Sequence, residues 1–169
     1  MQPAPQNSRF TPFVQQNDNN TTAWVGNAPG NNREVCQGQS FTAPSNGELA
    51  TIEIFSNLVS SPGEVVMSLH QLDDDNEHWG PGIGSSAVSV SQEDAGHWIT
   101  FQIPSVHLTA GQTYGFKIKS SKLIGLGEAV GSYANPPFKG GHEWKFSGSE
   151  NDGKSYDYFS LAFKVGLRA

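Results

Sequence analysis

Apolar and polar residues alternate along several stretches of this chain, and this alternation limits the folds open to it. Residues 98–103 (Trp-Ile-Thr-Phe-Gln-Ile) and 114–119 (Tyr-Gly-Phe-Lys-Ile-Lys) place an apolar side chain at every second position. A two-residue period puts those side chains on one face of an extended strand. We therefore predict half-buried β-strands there and one more over residues 159–165. Two further strands, with a less regular pattern, are predicted in residues 49–55 and 65–72.

Turn-forming residues separate these stretches. The chain has 19 glycines and 10 prolines, and only 15% of its residues are charged, which disfavours a helical bundle. Ser-Asn-Gly, Ser-Pro-Gly and Asn-Asp-Gly turns recur between the apolar runs. About eight to ten strands at this spacing predict an all-β fold, an antiparallel two-sheet β-sandwich with jelly-roll topology. We expect Phe101, Phe116 and Phe163 to lie in its core.

Composition divides the chain into two parts. Residues 1–22 are rich in Gln, Asn, Pro and Thr and hold too little apolar surface to fold alone, so we interpret them as a polar N-terminal arm or linker. Residues 23–169 form the predicted β-sandwich domain. A length of 169 residues suits one domain with a core and is short for two.

Charge and composition argue against several kinds of partner. The net charge is −6 and the ten basic residues are scattered, so we expect no binding to nucleic acid or to an anionic membrane. No apolar run is long enough to predict membrane insertion. Cys36 is the single cysteine, which excludes an intrachain disulfide, and we expect a buried thiol. The N-terminus lacks the basic and apolar segments of a signal peptide, so a secreted form would already have lost its signal.

Sequence motifs for catalysis are sparse. No HExxH spacing or nucleophile elbow is present, and the glutamates are scattered, so we do not expect an enzyme. Residues 125–131 (Gly-Leu-Gly-Glu-Ala-Val-Gly) approximate a dinucleotide-binding fingerprint, but no helix can follow because Pro136 and Pro137 come next. We interpret this run as a strand whose glycines allow a neighbour to pack close.

Several short segments resemble, in order, the landmarks of jelly-roll modules in large secreted or surface-anchored bacterial proteins. They are Gln-Ser-Phe-Thr-Ala-Pro, Ser-Pro-Gly-Glu-Val, Trp-Ile-Thr-Phe, Leu-Thr-Ala-Gly-Gln-Thr-Tyr, Phe-Lys-Gly-Gly and Leu-Ala-Phe-Lys, and they span about residues 35–165. The fold of such modules is similar to that of carbohydrate-binding modules. The resemblance implies an extracellular domain, secreted or held at the cell surface, and leaves open whether it is part of a longer protein.

A loop between Tyr133 and Trp144 combines aromatic residues with two prolines and a Gly-Gly pair. The prolines stiffen the loop, and the glycines allow a sharp turn or a close approach of a ligand. Flat rings that stack on sugars, with a few polar groups beside them, are typical of glycan sites. We therefore predict a non-catalytic module that binds a polysaccharide or other glycan through Trp79, Tyr133, Asn135, Phe138, His142 and Trp144.

Three carboxylates occur at alternate positions in an acidic turn. Asp73, Asp75 and Glu77 offer the hard oxygen ligands that Ca²⁺ prefers, and jelly-roll modules often hold a structural calcium ion. An EF-hand is excluded because His78 and Gly84 stand where the motif needs Gly and Glu. The turn is therefore a possible Ca²⁺ site, with a simply solvated turn as the alternative.

A second function from another class stays open at this point. The chain could be a structural or adhesive module of an adhesin, surface filament or virion, with its aromatic residues in the core. Residues 1–22 would then dock on neighbouring subunits or other domains by adding a strand to their sheet. Exposure of the aromatic rings separates the two hypotheses.

Overall fold

The computed structural model describes residues 10–27, 34–73, 75, 78–147 and 153–168, and these residues form fourteen strands in two sheets. A short 3-10 helix (Gln92–Asp94) precedes β7. No helix in the described ranges has the length and apolar character needed to cross a bilayer. In chain order the strands are β1 (Phe10–Gln16), β2 (Thr21–Val25), β3 (Val35–Thr42), β4 (Gly47–Val59), β5 (Gly63–Leu72), β6 (Trp79–Val90), β7 (His97–Gln102), β8 (His107–Leu108), β9 (Thr113–Ser120), β10 (Ile124–Val130), β11 (Glu143–Ser147), β12 (Lys154–Tyr156), β13 (Phe159–Leu161) and β14 (Phe163–Arg168).

The strands are divided between a larger and a smaller sheet. In the larger sheet β1, β14, β4, β10 and β13 follow one another, β2 pairs with β10, and β7 and β8 pair with β4. In the smaller sheet the order is β12, β11, β3, β9, β5 and β6. Every pairing is antiparallel. The predicted two-sheet antiparallel sandwich is confirmed, and its strand order is compatible with a jelly roll.

A single core fills the space between the sheets. Phe101, Phe116 and Phe163 are fully buried in it, as the alternation predicts. The rings of Phe116 and Phe163 come from opposite sheets and lie 5.5 Å apart between centroids. Aromatic contacts of this kind add to the free energy gained by burying the rings.

The N-terminal region contributes strands to the larger sheet. β1 lies at its edge beside β14, and β2 pairs with β10 over the full length of β2. Gly125 and Gly127 of β10 lie opposite residues of β2 in the sheet, and a Cβ on Gly125 would meet Thr22 and the ring of Trp24. These contacts match the expectation that the glycine-rich run is a strand approached closely by a neighbour.

Residues 159–165 differ from the sequence prediction, which made them one strand. They form the whole of β13 and the start of β14, with Ala162 between the two. β13 pairs with β10, whereas β14 pairs with β4 and β1, so the chain changes partners at Ala162. The N–H of Ala162 donates a hydrogen bond to the carbonyl of Gly127, which holds the crossing point. Polar and apolar residues still alternate on both sides of Ala162, so the sequence pattern does not reveal the change of partner strand.

Candidate ligand-binding surfaces

The outer face of the smaller sheet carries its own aromatic cluster. On β11 the side chains of Trp144 and Phe146 point away from the sandwich core, while those of Glu143 and Lys145 point toward the larger sheet. We call the outward-facing set the outer cluster. It consists of Cys36, Leu72, Trp144 and Phe146, with Trp79 packed on them.

Trp79 covers this cluster from the start of β6. Its ring makes edge-on contacts with Trp144 and Phe146, at centroid distances of 5.6 Å and 5.2 Å. Gly115 and Gly38 leave space for the ring, since a Cβ on Gly115 would overlap three of its atoms. The absence of side chains at these two positions allows the indole to lie against the sheet.

Beside Trp79 a groove of about 340 Å³ opens to solvent, lined by His70, Trp79, Gly80, Pro81 and Lys117. We call it the Trp79 groove. Nδ1 of His70 lies 2.8 Å from the carbonyl oxygen of Gly80, which fixes it as the donor. Burial lowers the pKa of His70, against a smaller effect of this hydrogen bond, so the ring is neutral at pH 7. The groove therefore offers an apolar wall and a neutral imidazole.

A second aromatic surface lies at the end of the sandwich, where the loop after β10 meets the turn between β12 and β13. Tyr133 is 75% exposed, and its ring packs edge-on against Tyr158 at 5.0 Å. Tyr158 in turn contacts Tyr156 at 5.9 Å and Phe159 at 4.6 Å. These four residues are called the tyrosine patch from here on. Their rings form a continuous apolar surface that reaches solvent at Tyr133.

The polar residues predicted on the loop lie near this end. Asn135 is exposed, and its backbone N–H donates to the hydroxyl of Ser132. Nδ1 of His142 lies 3.1 Å from a carboxylate oxygen of Asp157, in the turn that carries Tyr158. The backbone N–H of His142 donates to the hydroxyl of Ser40 at 2.9 Å, which ties the loop to β3. This end of the sandwich therefore combines rings, an imidazole and a carboxylate.

The structure places two of the predicted stacking residues in packed positions instead. Trp144 is 3% exposed, so its ring faces are covered by the outer cluster and are closed to a sugar. Phe138 is half-buried and packs edge-on against the core residue Phe163 at 5.2 Å. Both side chains therefore anchor the loop to the sandwich. Trp79 is separated from Tyr133 in the structure, because it lies on the outer face of the smaller sheet.

The acidic turn before β6 holds a cluster of exposed charged groups. Nδ1 of His78 lies 3.0 Å from Asp73 and 3.5 Å from Asp75, and the three side chains offer ligand atoms within 4.8 Å of one another. Glu77, the third predicted calcium ligand, lies outside the described residues. Exposed acidic groups of this kind are common without a bound ion, and Ca²⁺ binding at this turn stays a prediction.

Sequence reasoning missed Tyr158 and treated Phe159 only as a strand residue. The signal was present, because Tyr156 and Tyr158 flank the turn residue Asp157 and stand beside an aromatic strand. Their position against Tyr133 depends on how the loop after β10 folds back, which local sequence does not report.

Comparison with known proteins supports the fold. No protein-family model matches the chain, and neither does any curated protein. A structure of the Clostridial cysteine protease Cwp84 after propeptide cleavage is similar, with a TM-score of 0.60 at 9% identity over 98% of this chain and 42% of that one. A structure of the cysteine protease and lectin-like domains of Cwp84, a surface layer associated protein of Clostridium difficile, gives 0.51 at 10% identity over 82% and 33%. This chain thus spans less than half of either structure, and the likeness concerns the fold.

Proposed function

We propose that this chain is a non-catalytic, extracellular carbohydrate-binding module and that glycan contacts centre on the tyrosine patch. The observation that carries the proposal is the exposure of Tyr133, at 75% the highest among the exposed large hydrophobic side chains of the described residues. A ring held out of the core on a stiff loop offers its face to a sugar without much ordering on binding.

Polar groups beside the patch supply hydrogen bonds to hydroxyls. His142 and Asp157 lie next to Tyr158, and Asn135 is exposed on the same loop. A depression of about 200 Å³ continues from His142 along Lys139–Gly141 to the hydroxyls of Thr42 and Thr113. An apolar platform with a few polar groups at its edge is the usual composition of a sugar site.

The comparisons add support of a weaker kind. One similar structure contains a lectin-like domain of a surface layer associated protein, and the all-β fold of this chain suits a counterpart of that domain rather than of a protease. We therefore propose that the protein acts outside the cell, secreted or on the surface, as a domain of a longer polypeptide.

A glycan array with the purified chain tests the proposal, followed by titration of the best ligand with variants. Tyr133→Ala is expected to weaken binding roughly tenfold or less, as fits the loss of about 1 kcal/mol of ring contact, and to leave the melting temperature unchanged. Trp24→Ala is the matched control, because Trp24 is an aromatic residue 43% exposed on β2, away from the patch.

Two results would contradict the proposal. No binding to any plant, algal, bacterial or host glycan on the array would favour the structural or adhesive role. If Tyr133→Ala and the parent chain bind the glycan with equal affinity, the glycan does not contact Tyr133. The Trp79 groove would then be the next surface to test.

A further inference from the structure

A buried polar cluster joins the two sheets next to the tyrosine patch. Glu128 lies on β10 of the larger sheet, and Glu143 and Lys145 lie on β11 of the smaller sheet. Nζ of Lys145 is 2.9 Å from Oε2 of Glu143 and 3.3 Å from Oε2 of Glu128. The exposed fraction of the two glutamate side chains is 0% and 4%, so protein atoms replace water around both.

Gln37 completes this cluster. It lies on β3 directly opposite Lys145 and is 3% exposed. Its Oε1 accepts a hydrogen bond from Nζ of Lys145 at 3.1 Å, and its Nε2 donates one to the carbonyl of Trp24 at 2.9 Å. Two hydrogen bonds therefore hold the carboxamide with its carbonyl group turned toward the lysine nitrogen.

We propose that Lys145 and Gln37 react with each other to form an amide bond that cross-links β11 to β3. A primary amine and a carboxamide are in contact on neighbouring strands, with two carboxyl groups on the same nitrogen. Such a pair brings the reactants together permanently, which replaces a bimolecular reaction by an intramolecular one. Acid and base are supplied by the glutamates.

The reaction balances without any further reactant. Glu128 takes a proton from the ammonium group of Lys145, and the lone pair freed on Nζ attacks Cδ of Gln37. The Glu143 carboxyl group protonates the developing oxyanion, and the intermediate then collapses with cleavage of the Cδ–Nε2 bond. Nε2 takes up one of the two protons that the amine has lost and leaves as ammonia, and the ammonia then takes the other from Glu128 and departs as ammonium. The new amide carbonyl returns its proton to Glu143, so both glutamates regain their starting states.

The charges around the cluster suit these roles. Burial, with the hydrogen bond and charge of Glu128 beside it, raises the pKa of Glu143 to about 9, so this carboxyl group carries a proton at pH 7. Burial lowers the pKa of Lys145, but its contacts with Glu143 and Glu128 raise it by more. Loss of the lysine proton to Glu128 is thus the unfavourable step, and we expect a slow reaction that occurs once in each molecule.

Aromatic rings shield the reacting nitrogen. The centroids of Phe159 and Tyr156 lie 5.3 Å and 5.9 Å from Nζ of Lys145. The lysine side chain is still 31% exposed, which leaves ammonia a path to solvent. The site is closed enough to strengthen the electrostatic contacts and open enough to release its product.

Mass spectrometry of the folded chain, incubated at neutral pH until its mass is constant, tests the proposal. The expected mass lies about 17 Da below that of the sequence, because one ammonia is lost. Cyclisation of Gln2 at a processed N-terminus and succinimide formation at Asn46-Gly47 lose the same mass, so a protease digest must show one branched peptide that contains both Gln37 and Lys145. A full-length mass equal to the sequence, or a digest without that peptide, overturns the proposal.

Variants separate the chemistry from the fold. Glu143→Gln keeps the size of the side chain and removes the acid. Lys145→Arg keeps the positive charge and removes the nucleophile. Both variants are expected to abolish the branched peptide. Lys154→Arg, on the neighbouring β12, is the matched control and should retain it. Circular dichroism confirms that each variant is folded. A branched peptide that persists in folded Lys145→Arg would also refute the assignment.

Discussion

Nζ of Lys145 lies 2.9 Å from Oε2 of Glu143, a carboxyl group with no solvent-exposed surface. The pKa of Glu143 is raised to about 9 from an ordinary 4.5, first by burial and then by Glu128. Between these two pH values the folded protein holds a proton that the unfolded chain releases. The free energy of unfolding must therefore fall as pH rises through this window.

We predict that stability decreases between about pH 5 and pH 9, with a slope of at most about 1.4 kcal/mol per pH unit from this group. Glu143→Gln should flatten that slope, because the amide does not titrate. Urea unfolding at a series of pH values measures it. The slopes of the two proteins are compared, and not their absolute stabilities, because a cross-link at Lys145 adds stability that does not depend on pH. The cross-link also removes the lysine charge, which opposes the raised pKa of Glu143. A slope that persists unchanged in Glu143→Gln would assign the titration to another group.

The core gives a second prediction. Phe116→Ala is expected to cost roughly 3–5 kcal/mol of unfolding free energy, because the lost transfer energy and the cavity left beside Phe163 add together. Tyr133→Ala is the exposed aromatic control and should change stability by less than about 0.5 kcal/mol. Denaturant unfolding of both variants measures these changes in unfolding free energy. A small effect at Phe116 would contradict its place between the sheets.

Local alternation was sufficient to predict β4, β5, β7, β9 and the buried phenylalanines, because a half-buried strand must present one face to the core. The turn spacing predicted about eight to ten strands, whereas the described residues form fourteen. Alternation could not predict the change of partner at Ala162, since Leu161 of β13 and Phe163 of β14 are both buried in the core. Strand partners are set by contacts between distant parts of the chain, and a period of two carries no information about them.

A third prediction concerns the fit of Trp79 over Gly115. Gly115→Ala should push the indole away from the sheet, because the added Cβ would overlap three atoms of its ring. We expect a larger fraction of the tryptophan fluorescence to become accessible to iodide, together with lower stability. Gly82→Ala on β6 is the control, since the nearest atom to its Cβ is the ring carbon Cε1 of His70 at 3.8 Å. Identical quenching in the two variants would show that Trp79 is not held by the glycine.

The candidate site was only partly predictable from sequence. The sequence shows that the loop after β10 is rich in aromatic residues, but the position of each ring depends on packing. Trp144 lies on the outer face of its strand, which would be exposed in a simple sandwich, and it is buried because Trp79 folds over it. Tyr133 is exposed because the loop turns outward before Phe138 enters the core. Sequence shows which residues are available for binding, whereas tertiary packing decides which of them reach solvent.

The small extent of the tyrosine patch leads to the last prediction. Only Tyr133 among its rings is largely exposed, and each stacked sugar contributes about 1 kcal/mol, so a single chain should bind its glycan with a Kd of roughly 10⁻⁵ to 10⁻³ M. Display of four copies on streptavidin should raise the apparent affinity for a glycan-coated surface by roughly 10² to 10⁴, because the later contacts become intramolecular. Surface plasmon resonance of monomer and tetramer on the same glycan measures the gain. A Tyr133→Ala tetramer should lose most of it while the Trp24→Ala tetramer keeps it. Nanomolar binding by the monomer would mean that the ligand contacts far more than this patch, and the glycan assignment to Tyr133 would have to be abandoned.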